Sequence, residues 1–233
     1  MSGAMAERDT AVPLTIERLS TAERVADALR EQLLSGAIAP GTPMRDTELS
    51  ARAGVSRTTV REALSLLARE GLLTHSLHRG MEVARLAAAD VRDVYATRRL
   101  IERAGAEAIL ATAVADLNGL ERAVQAMAEA TARRDQRRVV EADAAFHTAI
   151  GEALGVRRLR AALVRALMEL RLVLSVTDRA TGDLEDQLRQ HRDLLELLRA
   201  RRPEAVAALD AHLVEAEALV RAGIEGERGP GAP

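Results

Sequence analysis

The 233-residue chain has no cysteine, and its 33 basic residues are all arginine, since lysine does not occur. Without cysteine there are no disulfides, no thiol nucleophile and no thiolate metal site. Without lysine, no mechanism that needs a catalytic lysine or a phosphate-loop lysine is open to it. Aromatic residues are almost missing: Tyr95 and Phe146 stand alone, and there is no tryptophan. No stretch approaches the roughly 18 consecutive apolar residues that a membrane span requires. The first ten residues, MSGAMAERDT, carry early acidic groups and no apolar leader core. A cytoplasmic protein with no membrane partner is the expectation. Neither sign of charge dominates, with 33 basic residues against 35 acidic ones and a formal net charge of −2. Any surface for nucleic acid must therefore be local.

What is present is 48% hydrophobic residue, mostly Leu, Val, Ile and Ala, enough for a real core and weighted toward good helix formers. The length suits two domains better than one. Residues 1–13 are small and polar up to Pro13, and GIEGERGPGAP from Gly223 onward is rich in Gly and Pro, so both ends read as flexible. The boundary falls near residues 84–90. The division is thus 1–13 as a flexible N-terminus, 14–84 as one domain, 85–222 as a second and 223–233 as a flexible tail.

In the first domain, Thr21 to Leu34 spaces Val25, Leu29, Leu33 and Leu34 as a helix would, with Ser20 or Thr21 as cap and Gly36 as stop. A turn-rich connector through Pro43 leads to a short helix over about Asp46–Arg52. Gly54 ends it, and Ser56 opens a third helix with Val60, Leu64 and Leu67 as its buried stripe. Leu72–His75 and Met81–Ala84 read as two strands around a His-Arg-Gly turn. This is the order of a winged helix-turn-helix. Its third helix exposes Arg57, Thr58 and Arg61, and between residues 52 and 79 five Arg face two Glu, a local charge of +3 inside a slightly acidic chain. A capped helix N-terminus offers free N–H groups to phosphate, and Arg offers a fork for guanine edges or phosphate. An isolated exposed Arg is usually solvated surface, and winged helices also serve as protein-interaction modules.

The residues narrow the choice. The run Pro40-Gly41, Glu48-Leu49, Gly54-Val55-Ser56-Arg57-Thr58-Thr59-Val60-Arg61-Glu62-Ala63-Leu64, Glu70-Gly71-Leu72 and Arg79-Gly80-Met81-Glu82-Val83 resembles the DNA-binding domain of GntR-family bacterial transcription regulators over residues 20–84. The resemblance implies contacts to double-stranded operator DNA from Arg57, Thr58 and Arg61, with Arg45, Ser56 and Thr59 beside them. It also implies that the wing tip, His78-Arg79-Gly80, reaches the minor groove. Thr47 departs from the pattern where some members carry a DNA-contacting Arg, and Thr59 where many carry Pro.

The second domain divides at turn signals into six amphipathic helices, about 90–112, 116–133, 136–154, 157–177, 183–201 and 204–222, so the fold class is mainly α with an antiparallel six-helix bundle behind the winged helix. Asp143 and His147 lie four apart and share a helix face about 6 Å apart along the axis. His191 and His212 lie at similar heights on either side of the Arg202-Pro203 turn. One carboxylate and three imidazoles suit Zn²⁺, Ni²⁺, Mn²⁺ or Fe²⁺, with positions left for water or a bidentate ligand. A surface or hydrogen-bonded core histidine is the alternative for each.

This half resembles the FCD effector-binding domain found behind many GntR-type domains of the FadR type. Tyr95-Ala-Thr-Arg98-Arg-Leu-Ile-Glu102, Asp143-Ala-Ala-Phe146-His147, Gln190-His191-Arg192 and Ala211-His212-Leu213 carry the likeness. Six helices rather than seven is similar to the VanR-like subgroup. The resemblance implies that Asp143, His147, His191 and His212 hold a divalent metal, that an effector's carboxylate completes its shell, and that Arg98 points inward to grip that carboxylate. The role of Glu102 stays open between a salt bridge, a cap and ligand contact. The function expected is a homodimeric, ligand-responsive regulator, a repressor, that binds a small carboxylic acid and is not an enzyme. Two other readings remain: a metalloenzyme acting on a small acid, and a regulator that senses the metal itself.

Overall fold

A computed structural model describes residues 19–76, 80–112, 115–175 and 183–227. The N-terminal part runs α1 (Thr21–Leu34), α2 (Asp46–Ala53), α3 (Arg57–Arg69), β1 (Leu73–Ser76) and β2 (Gly80–Val83). Ser20 caps α1 in a capping box, its hydroxyl accepting from Glu23 N while the Glu23 carboxylate accepts from Ser20 N. Gly54 ends α2 at φ 65°, a left-handed turn that costs glycine least and lets the chain double back into α3. The side chain of Ser56 accepts from Thr59 N and starts α3. Arg30 on α1 forks onto the Glu70 carboxylate with two 2.7 Å bonds, tying α1 to the end of α3.

The strands pair antiparallel from Leu73↔Val83 to Ser76↔Gly80, one residue out of step with the sequence expectation on both. The cause lies outside the hairpin. Gly41 N and Met44 N donate to Val83 and Met81 carbonyls, so the 41–44 segment flanks β2 and sets where pairing begins. The stripe of α1 also differs: Ala22, Ala26, Leu29 and Leu33 are buried, while Val25 and Leu34 are only half-buried. His78 and Arg79 lie outside the described residues.

The six expected helices follow: α4 (Ala88–Ala111), α5 (Asn118–Ala132), α6 (Gln136–Glu152), α7 (Arg157–Leu174), α8 (Leu184–Arg199) and α9 (Glu204–Glu227). α5 packs on α6 and α6 on α7, α4 lies against α6, α7 and α9, and α8 sits beside α5 and α9. α9 overruns the expected end at residue 222. Val220 and Ile224 continue its buried face at a four-residue spacing, and that burial outweighs the roughly 1 kcal/mol helix cost of each of Gly223 and Gly226. Gly105 sits where α4 meets α6 so closely that an added Cβ would lie 2.2 Å from the Ile150 carbonyl oxygen. Backbone cannot step aside as a side-chain tip can. Gly105→Ala is therefore expected to cost at least about 1–3 kcal/mol, the range for overpacked cores, read as a lower denaturation midpoint at unchanged slope.

One helix of the bundle contributes to the core of the winged helix. α7 buries Leu170 and Val173 in the bundle core but Leu172 in the core of the winged helix, with Met168 packed against the same cluster. Ser175, at the end of α7, donates to the Leu33 carbonyl of α1 at 3.3 Å. The chain crosses from one part to the other once, near residue 85, yet the winged helix is completed by a residue almost ninety positions further on.

Candidate functional site

Three helices bring the expected ligands together. α6 is held by Val139, Ala142, Phe146 and Ile150 in the core, which turns His147 inward and Asp143 to the edge of a cavity. α8 is anchored by Leu188, Leu194, Leu195 and Leu198, with His191 between them at zero exposure. α9 presents His212 next to buried Leu213. One donor atom from each of Asp143, His147, His191 and His212 lies within 4.8 Å of all the others. His191 Nε2 and His147 Nε2 stand 3.0 and 3.5 Å from Asp143 Oδ1, and His147 and His212 Nε2 are 3.3 Å apart on nearly parallel rings. Ligands bound at about 2.0–2.2 Å to one ion are themselves about 3.0–3.4 Å apart at right or tetrahedral angles.

The other ring nitrogens explain why these face one point. His147 Nδ1 meets Glu102 Oε2 at 2.5 Å, His191 Nδ1 meets the Gln187 carbonyl at 2.8 Å, and His212 Nδ1 meets Gln190 Oε1 at 2.8 Å. The Gln190 amide nitrogen donates to Asp186 and Glu215, which orients its oxygen toward His212. All three partners accept, so each Nδ1 carries the proton and each Nε2 turns a lone pair toward the centre. This is the outer-shell arrangement that fixes metal-binding histidines. His191 Nε2 is buried and makes no hydrogen bond among the described residues, despite its nearness to Asp143. An orphaned lone pair beside two others and a carboxylate is a donor set that fits a divalent cation.

Glu102, whose role the sequence left open, joins two parts of the site. Fully buried on α4, it accepts from Arg98 Nε at 2.8 Å and from His147. Burial alone would raise its carboxyl, but the Arg98 and His147 charges outweigh that and hold it below its ordinary value. Burial likewise opposes charge on His147, and Glu102 and Asp143 overcome it, raising His147. His212 is pushed down to about 2, by burial first and then by the neighbouring histidines, which together outweigh the opposing pull of Asp143. Arg98 is 2% exposed, stacks 5.0 Å over the Tyr95 ring and leaves its Nη2 without a partner among the described residues. Tyr95, Arg98, Asp143 and His212 line one end of an open cavity. Arg98 is thus buried at the cavity wall.

In the winged helix, Arg57, Thr58 and Arg61 are exposed on the first turns of α3. Ser56 and Thr59 are engaged with each other at the cap, hydroxyl to hydroxyl at 2.8 Å. Arg45 precedes α2 and pairs with Glu48. Gly80 opens β2 at φ 79°, the turn-out from the wing tip. Sequence reasoning missed Asp46: its carboxylate takes Arg61 Nε at 2.6 Å and Arg57 at 3.3 Å. The signal was an acid in the first turn of α2, which reads equally well as an ordinary helix-dipole residue.

Residues 93–215 match the FCD domain, and residues 21–83 match the bacterial regulatory proteins of the gntR family. The chain is 29% identical over 202 residues to the "Probable D-xylose utilization operon transcriptional repressor" of Paenarthrobacter nicotinovorans, covering 85% of this chain and 88% of that one. It is 29% identical over 201 residues to the HTH-type transcriptional repressor RspR of Escherichia coli K12, with the same coverage. Among solved structures, a GntR transcriptional regulator from Rhodococcus sp. RHA1 superposes with a TM-score of 0.75 at 29% identity, over 85% of this chain and 96% of that one. E. coli McbR/YncC shares the fold with a TM-score of 0.72 at 20% identity, over 87% and 98%. With both matches in place, the chain belongs to the GntR family of bacterial DNA-binding transcription regulators, with an FCD domain behind its winged helix.

Proposed function

We propose that this regulator is a homodimeric repressor whose bundle holds a divalent metal on Asp143, His147, His191 and His212, and binds there a small carboxylic acid that changes operator affinity. The observation that carries it is the convergence of three Nε2 lone pairs and one carboxylate oxygen, with every Nδ1 tied outward. Zn²⁺, Ni²⁺, Mn²⁺ and Fe²⁺ all suit one oxygen and three nitrogen donors. The metal would supply a Lewis-acidic seat for the acid's carboxylate, and the unpartnered Nη2 of Arg98 a hydrogen bond to it. The Paenarthrobacter and E. coli relatives are both named as repressors. Two winged helices related by a dimer axis would read a palindromic operator, with Arg57, Thr58 and Arg61, flanked by Arg45, Ser56 and Thr59, facing the groove and His78, Arg79 and Gly80 the wing contact. Such work belongs in the cytoplasm, and among the described residues no helix is long and apolar enough to cross a membrane.

Elemental analysis of the purified protein is expected to find about one metal per chain, reduced in His191→Ala by at least tenfold in affinity, with operator binding retained. Full occupancy in that variant would overturn the ligand set. Titrating carboxylic acids onto the metal-loaded operator complex is expected to shift operator affinity. By reciprocity the operator must shift acid affinity by the same factor. Release that follows metal alone, with no acid, would instead make the metal the signal.

A further inference from the structure

The cavity beside the metal cluster has a second end. Val140, Arg171 and Leu174 line it there, and the same three residues line a neighbouring groove that runs to Leu34 and Ser35 at the end of α1. Arg171 thus stands between the cluster and the winged helix. Among the described residues its guanidinium makes no hydrogen bond and no ion pair. Its surroundings disfavour its charge: it is half-buried, and two of the charged groups acting on it are Arg137 and Arg30, with Glu141 the one opposing carboxylate. Arg137 pairs with Glu31, and Arg30 with Glu70 and Asp27. The acids along the cavity wall are also taken. Asp183 caps α8, and Asp186 and Glu215 receive the Gln190 amide. A half-buried arginine with no carboxylate in direct contact is costly unless an anion is supplied. The cavity therefore offers unmet cationic donors at both ends, Arg98 Nη2 beside the metal ligands and the Arg171 guanidinium at the junction.

We infer that the effector is a dianion, a short organic acid whose carboxylate sits by Arg98 and whose second anionic group, a carboxylate or a phosphate, is held by Arg171. This rests on the proposed acid-binding role of the bundle and extends it to the substrate class. Position gives the second group its consequence. Leu172, the next residue, is buried in the core of the winged helix, and Ser175 bonds to α1. An anion on Arg171 acts where α7 meets the DNA-binding part, whereas a monoanion at Arg98 does not reach it. Dianions are therefore the acids that alter operator affinity.

The test is calorimetry on the Zn²⁺-loaded full chain with propionate and lactate against succinate, glutarate, malate and 3-phosphoglycerate, each repeated on Arg171→Gln and Arg171→Lys. At least one dianion is expected to bind about tenfold or more tighter than its matched monoanion. Arg171→Gln should erase that preference while leaving monoanion affinity within about twofold, and Arg171→Lys should restore part of it. The preferred arm, dicarboxylate or phospho-acid, identifies the second group. Without ligand, Arg171→Gln is expected to melt no lower than the wild type, since an uncompensated charge has been removed; a large loss of stability would make Arg171 a structural residue and overturn the subsite. If monoanions bind as tightly as dianions and Arg171→Gln changes nothing, the second subsite falls while acid sensing stands. If no acid of either kind binds the wild type, both fall together.

Discussion

Glu102→Ala is expected to destabilise the protein by about 3–5 kcal/mol, the cost of breaking a buried ion pair from one side. For a chain of this size that is a fall in melting temperature of roughly 6–20 °C. The reason is the company Glu102 keeps. Arg98 and His147 are buried with it, and both donate to it, so alanine strands a guanidinium in the core and frees the His147 ring. The second effect is separable from the first. Losing the acceptor at Nδ1 releases the tautomer and orientation of His147, and metal affinity is expected to drop about 10- to 100-fold. Glu102→Gln, which keeps an acceptor but not the charge, should recover much of the metal affinity and less of the stability. There is a pH signature as well. The folded carboxyl is held below the ordinary glutamate value, so its contribution is present above that value and lost as pH falls through the lowered one. Glu102→Gln should flatten this acid limb of the stability curve. A melting temperature within a degree or two of wild type would mean that Arg98 is neutralised by something other than Glu102.

Arg61→Ala is expected to weaken specific operator binding by about 1–3 kcal/mol per half-site, with little change in binding to unrelated duplex. An operator selected from a random duplex library would serve as the probe, and helix content should be unaltered because the side chain is 64% exposed. Asp46→Asn is the more telling partner. It leaves both arginines in place but loosens the carboxylate that aims them. Removing one negative charge near phosphate should raise non-specific affinity while the specific affinity falls, so the ratio narrows from both sides. If footprints over the selected operator are unchanged in Arg61→Ala, α3 is not the reading element.

The bundle was legible because its residues obey local rules. Four-residue spacing put Asp143 and His147 on one face, and the Arg202-Pro203 turn brought His191 and His212 level. The helix count followed from the same periodicity. What stayed hidden depends on contacts between helices remote in sequence. Glu102 lies 45 residues from His147, and nothing in its neighbourhood says whether its carboxylate faces solvent or a histidine ring. Asp46 reads as a helix-dipole acid until α2 and α3 are folded against each other. Arg171 looks like any exposed cation on an amphipathic helix, and only the fold shows it half-buried between two parts of the protein with no direct ion pair among the described residues. The end of α9 was missed for a different reason. Gly223 and Gly226 are local stop signals, and tertiary burial of Ile224 overrode them.

Leu172 bears on how this architecture can be recombined. Regulators of this plan look like interchangeable cassettes, and the connector near residue 85 looks like the place to cut. A winged helix excised there would lose a leucine that is 1% exposed in its own core, leaving a defect of the kind that costs about 3–5 kcal/mol in other small domains. The transplantable unit is the winged helix together with the strip of α7 that completes it. A sensor grafted behind this reader must supply a Leu172 and a Met168 of its own at the same height, or the reader will be unstable before any signal reaches it.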